Sequence, residues 1–281
     1  MTYSLSEVKP AERVKALHVG RSGSGKTVAA ASIARLCPPG EKIYIFDNDG
    51  RMRPIIKMYP DLISADKIAI DSYGNSDFEK LYDKIGWLLD HPDKYWAVIM
   101  DGLTMLSDMT INYSIGINTK DGAKRKTDVG VLRMPEIQEY KAEVRGMSAV
   151  LNELRDYPRH FIMTAHIMTV EYKVLNKTTK QEEQKVERLL VTAGRKIAPQ
   201  IPIYFDEVYL FKPWVSSVLG DPAEFKMYCV PNEDFVECRS ALSLPATIDW
   251  TMSPGGEGFY EKILAEVKKN MPEVAAKILE K

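Results

Sequence analysis

The 281-residue chain carries 38 basic and 39 acidic side chains, for a net charge of −1, with 45% hydrophobic and 27% charged residues. It has no apolar run of about 18 residues, the length a membrane-spanning helix needs, and its first residues, "MTYSLSEVKPAERVKA", lack the apolar stretch of a signal peptide, so a cytoplasmic protein is expected. Cys37, Cys229 and Cys238 are too few and too scattered for a disulfide framework or a zinc site, and the balanced charge means that any nucleic-acid contact must come from a local patch.

In chain order, "VKALHVG" (14–20) reads as a buried strand and "KTVAAASIARL" as the helix after it. "KIYIFDND" (42–49) is a second strand that ends in acids. Residues 76–90 space their apolar side chains as a helix does, behind a Ser76 cap with Glu79 three residues later. "YWAVIMD" (95–101) is a third strand, followed by a helix from "DGLTMLSDM" and a long amphipathic helix over 136–157. "HFIMTAH" (160–166) and "FDEVYLF" (205–211) are the next strands; "EFKMYCV" and "FVECRSAL" read as further strands, and the chain ends in a helix broken at Pro272. Continuously apolar strands separated by helices predict an α/β fold with a mostly parallel sheet covered on both faces. The core is expected over 1–245, with a helical tail over 246–281. Ligands of such sheets sit at the carboxyl ends of the strands, which brings Gly20, Asp47 to Asp49, Asp101 and His166 to one edge.

Gly20, Arg21, Ser22, Gly23, Ser24, Gly25, Lys26 and Thr27 match G-x-x-x-x-G-K-[ST] without a mismatch, and Val28 continues into the helix. Such a loop curls its N–H groups around a phosphate, and the helix that follows presents the positive end of its dipole. Lys26 is expected on the β- and γ-phosphates and the Thr27 hydroxyl on Mg²⁺. Asp101, which closes an apolar strand, is the candidate for a second Mg²⁺ contact; the alternative is a helix N-cap. Asp49 or Asp47 is placed to orient the attacking water, unless both merely serve a turn. His166, at a strand's carboxyl end, is the candidate contact near the γ-phosphate.

"DNDG" also fits a D-x-x-G element, but N-K-x-D is missing, and only "NTKD" at 118–121 comes near it, in the wrong order. A GTPase is therefore set aside. Scattered arginines likewise argue against a nucleotide kinase with a closing lid.

The succession "GRSGSGKT", "IYIFDNDG", "AVIMDGLTML", "FIMTAH" and "AGRKIAPQIPIYFDEVYLF" resembles a RecA-type ATPase core over about residues 12–245. More narrowly, it resembles the compact phage-encoded nucleotide-binding proteins that act as minimal recombinases or single-strand-annealing ATPases. The resemblance implies ATP and Mg²⁺ as cofactors and a homo-oligomer, ring or filament, on single-stranded DNA. It also implies a host cytoplasm and a possible partnership with a single-stranded-DNA-binding or replication protein. It makes Lys26, Thr27 and Asp101 the phosphate and metal ligands, Asp49 the counterpart of a catalytic glutamate, and His166 the polar sensor. Arg239 falls near the cations that reach a neighbouring subunit's nucleotide, with Lys212 and Lys226 as alternatives.

The resemblance also implies two loops that grip DNA, after the third and fourth strands; on residues alone both could be simply polar and solvated. One is 118–134, with Lys120, Lys124, Arg125, Lys126 and Arg133 against two acids; the other is 169–190, with five basic residues against four acidic. Tyr172 offers a stacking platform beside Lys173. The leading expectation is an ATPase on single-stranded DNA; the alternatives are an ATP-dependent switch or loader on a protein partner and, last, a metabolic phosphotransferase.

Overall fold

A computed structural model describes residues 13–118, 134–175, 182–214, 224–251 and 253–280. The described strands form one nine-stranded sheet in the order β3-β2-β4-β5-β1-β7-β8-β9, with β6 paired to the far half of β5. Six strands run parallel: β1 (Lys15–Gly20), β2 (Ile43–Asp47), β3 (Ile68–Ser72), β4 (Ala97–Asp101), β5 (His160–Leu175) and β7 (Glu207–Trp214). β8 (Glu224–Tyr228) and β9 (Thr247–Asp249) extend the β7 edge antiparallel.

Every residue of β1, β2 and β4 is buried, as strands covered on both faces require. Alternate residues divide between two cores. Ile43 and Ile45 face a layer built from α1 (Lys26–Ala31), α2 (Arg53–Met58) and the C-terminal helices α7 (Phe259–Asn270) and α8 (Pro272–Glu280). A short helix, α3 (Pro60–Ser64), adds Leu62 to that layer. Tyr44 and Phe46 face α4 (Phe78–Asp90), α5 (Leu103–Asn118) and α6 (Ile137–Asp156). In α4 the buried Phe78, Leu81, Ile85 and Leu88 recur at helical spacing, which is why that segment folds as it does.

The expected α/β phosphate-loop fold is present, and the strands read at 14–20, 42–49, 95–101, 160–166 and 205–211 and the helices read at 76–90 and 136–157 stand where the sequence pattern put them. Three local readings change. "FVECRSAL" is not a strand: it is a turn-rich stretch tied to β7 by a single Val208–Arg239 bridge. β3 is a strand that periodicity passed over. The loop from 169 is the far half of β5 folded back on β6 (Glu182–Leu190), an antiparallel hairpin running from Ile167–Leu190 to Leu175–Glu182. β9, α7 and α8 lie within 246–281, and the two helices bury Phe259, Tyr260, Ile263, Val274 and Ile278 in the first core. Among the described residues no helix is long and apolar enough to cross a membrane.

Candidate nucleotide site

The loop between β1 and α1 can close only because of its glycines. A Cβ on Gly20 would stand 2.5 Å from the Phe211 carbonyl oxygen and 2.6 Å from Ser24 Oγ. Gly25, the residue that caps α1, takes φ 86°, a left-handed conformation that glycine adopts without strain. The buried Lys26 ammonium donates to the carbonyls of Gly20 (3.0 Å) and Arg21 (2.9 Å) and lies 3.4 Å from His166 Nδ1. Burial lowers its pKa to about 8 against the opposing pull of Asp101 and Asp49, with Arg51 lowering it further.

Asp101 ends β4 against this loop. Thr27 Oγ1 lies 3.0 Å from both of its carboxylate oxygens, and Thr164 Oγ1, from the neighbouring β5, donates to one of them. Burial raises the Asp101 pKa to about 6; the hydrogen bond from Thr164 opposes this, the charge of Asp49 reinforces it, and Thr27 and Lys26 oppose it. The hydroxyl and carboxylate of Thr27 and Asp101 are hard oxygen donors, the set that suits a cation such as Mg²⁺. A cation would also supply the counter-charge that this buried carboxylate otherwise takes from Lys26.

The acid that ends β2 and the acid two residues after it have different surroundings. Asp47 is spent on local structure: Oδ1 accepts from the Gly50 N–H (2.7 Å) and the Arg51 N–H (3.3 Å), and Oδ2 accepts from Ser72 Oγ (3.2 Å). Asp49 instead turns to the cavity, with Oδ2 3.6 Å from His166 Nε2. His166 therefore lies between Lys26 and Asp49, a pattern that suits the tautomer with its proton on Nε2. The resulting cavity measures about 320 Å³ and is lined by residues 22–28, Asp49, Arg51, Pro54, Asp101, Thr164 and His166.

The loop residues, Asp49, Asp101 and His166 are thus brought together. Arg239 is not. It bridges to Val208, which stands beside Leu17 towards the amino ends of the strands, and its guanidinium donates to the Pro202 and Phe205 carbonyls. Of the alternative cations, Lys212 is bound to Asp234 and Lys226 lies 3.9 Å from Asp249. Tyr172 is 42% exposed on the hairpin, where Lys173 pairs with Glu182 at 2.9 Å. Lys120, Lys124, Arg125, Lys126 and Arg133 lie outside the described residues.

Three supports of the site went unread in the sequence. Thr164 is two residues before His166, on the same side of β5, a spacing that could have flagged it. Arg51 follows the β2 acids onto the cavity wall. Behind the loop, the wholly buried His18 lies 3.4 Å from the Lys26 carbonyl through Nδ1 and 3.0 Å from the Tyr260 hydroxyl through Nε2. Burial lowers its pKa to about 3, so it is neutral and able to accept from Tyr260. The Tyr260 N–H in turn donates to Ser32 Oγ (3.0 Å), pinning α7 to the helix that follows the phosphate loop. No spacing rule connects residues 242 positions apart.

The model of the AAA domain family matches residues 12–212. Among curated proteins none matches the sequence. Among solved structures, the flagellar accessory protein FlaH from Methanocaldococcus jannaschii is similar over 87% of each chain, at 8% identity and a TM-score of 0.39.

Proposed function

The chain belongs to the AAA domain family, and on that premise we propose that it binds ATP with Mg²⁺, hydrolyses it, and passes the nucleotide state to a hairpin that works on single-stranded DNA. Lys26 and the loop N–H groups hold the β- and γ-phosphates, and Thr27 and Asp101 hold the metal, which supplies charge stabilisation to the transferring phosphoryl group when bound. Asp49 orients the attacking water and takes its proton as the γ-phosphoryl group leaves ADP. Being one methylene shorter than a glutamate, it favours slow turnover.

One observation carries the coupling. His166, set between Lys26 and Asp49, is the last residue of β5 that pairs with β1; at the next residue the strand begins its pairing with β6. Its own carbonyl accepts the Val191 N–H at 2.8 Å, where β6 leaves the hairpin. A contact made or lost at the γ-phosphate therefore acts at the root of both hairpin strands. The exposed Tyr172 and the basic residues of 118–134 supply stacking and phosphate contacts. Assembly into a ring or filament, and a task in recombination or annealing, follow the same resemblance.

A second reading, a switch acting on a protein partner, is favoured by the hairpin's internal pairing: Lys173 with Glu182, and Gln184 with Glu171, each at 2.9 Å. Titration of a labelled single-stranded oligonucleotide with and without a non-hydrolysable ATP analogue separates the two. Nucleotide-dependent binding that weakens with salt supports the DNA reading; absence of binding at low salt leaves the partner reading.

A further inference from the structure

A cavity of about 830 Å³, larger than the nucleotide cavity, lies between the first half of α6 and the segment that follows β6. Lys141 and Arg145, one helical turn apart on α6, face Arg195 and Lys196 across it. All four are exposed, and among the described residues none makes an ion pair. Its walls include Tyr140 and Val144.

Among the described residues that line the cavity, the one acid is Glu143. It is wholly buried; Oε1 accepts from Ser107 Oγ and from the Gly194 N–H (3.0 Å), while Oε2 has no hydrogen-bond partner. Gly194 lets the two segments approach closely, since a Cβ there would stand 2.2 Å from Oε2 and 2.7 Å from Tyr140 Cδ1. Three chemistries thus share one cavity: four cations without counter-ions among the described residues, an apolar and aromatic wall, and a buried carboxylate oxygen awaiting a donor.

We propose that this groove binds single-stranded nucleic acid, with Lys141, Arg145, Arg195 and Lys196 on successive phosphates and a base against Tyr140. A nucleic acid strand supplies all that the groove lacks: phosphate charge, a flat apolar ring and, on the exocyclic amines of its bases, N–H donors for Glu143. A simple inorganic anion supplies only the first. The groove is also wired to the nucleotide site. Val191 donates to the His166 carbonyl, the Val191 carbonyl accepts from Thr104 Oγ1 (3.0 Å), and the Ala193 N–H donates to Ser107 Oγ (2.8 Å). Arg195 therefore stands four residues beyond a direct contact with the sensor histidine. The inference rests on the DNA reading and adds to it a surface distinct from the two loops.

The test is the salt dependence of binding to a labelled oligodeoxycytidylate, whose bases carry exocyclic amines, by the full chain. A single-strand contact contributes about 0.7 to the slope of log affinity against log salt, so Arg195→Ala with Lys196→Ala lowers that slope by about 1.4 and weakens binding on the order of tenfold at low salt. Lys141→Ala with Arg145→Ala does the same. Lys268→Ala with Lys269→Ala, which removes equal charge from α7, leaves the slope unchanged, and ATP hydrolysis without oligonucleotide stays the same in all three. If the unaltered protein binds with a salt-dependent affinity that neither groove pair changes, the groove is overturned and the DNA reading stands. If the unaltered protein does not bind, both are overturned.

Discussion

Lys26 and Asp101 are pushed towards neutrality from opposite sides by the same burial, to about 8 and about 6. Each stays charged at pH 7 partly through the other's opposite charge, and a magnesium–polyphosphate pair would supply each with more of it. Thr164 holds Asp101 in this poise. Thr164→Val keeps the shape and removes the donor, leaving a buried carboxylate oxygen short of one bond, a loss of about 1–3 kcal/mol. The expected result is a fall in kcat for ATP hydrolysis of about tenfold or more with little change in KM, measured by steady-state kinetics. An unchanged kcat would mean that Thr164 only fills space.

At the scale of elements, two clamps hold the site. The first joins α7 to the phosphate loop through Tyr260 and His18. Tyr260→Phe leaves His18 Nε2 buried without a donor and is expected to cost about 1–3 kcal/mol in chemical unfolding. The second clamp is Lys15, whose ammonium donates to the Leu154 (3.2 Å) and Tyr157 (2.6 Å) carbonyls at the C-terminal end of α6. Burial, with Arg13 adding to it and Asp206 and Asp156 opposing, lowers its pKa to about 7. The unfolded lysine titrates near 10.5, so between about pH 7 and 10 the unfolded state binds more protons and stability must rise with pH, by at most about 1.4 kcal/mol per unit. Lys15→Met removes that rise. Unfolding free energies at pH 7, 8 and 9 for both proteins check it, and parallel slopes would contradict it.

These clamps also show what a sequence can and cannot reveal. The phosphate loop was legible because its chemistry is local: eight consecutive residues between an apolar strand and a helix of small residues. β2, β4 and the first half of β5 were legible because burial on both faces leaves an unbroken apolar run. β3 escaped because it is a half-buried edge, "IAIDS", with no such run. "FVECRSAL" misled because Phe235, Cys238 and Leu242 are buried from a turn, where Asn232 Oδ1 accepts from the Asp234 and Phe235 N–H groups. The choice between Asp47 and Asp49 could not be made from spacing, since it depends on which of them Gly50, Arg51 and Ser72 occupy.

At the scale of the whole molecule, the sheet places the nucleotide cavity and the root of the hairpin on one edge. The β1, β2, β4 and β5 carboxyl ends make the nucleotide cavity, and β5 alone continues past it, into the hairpin. Under the proposed function, that geometry passes a phosphate contact through His166 to the root of the hairpin proposed to meet DNA. The measurement that tests this most directly is the rate of ATP hydrolysis with and without single-stranded DNA, for the unaltered chain, Lys26→Ala and His166→Ala. The prediction is stimulation by DNA in the unaltered chain, no hydrolysis in Lys26→Ala, and hydrolysis that DNA no longer accelerates in His166→Ala. Hydrolysis indifferent to DNA in the unaltered chain, or undiminished stimulation without His166, would contradict it.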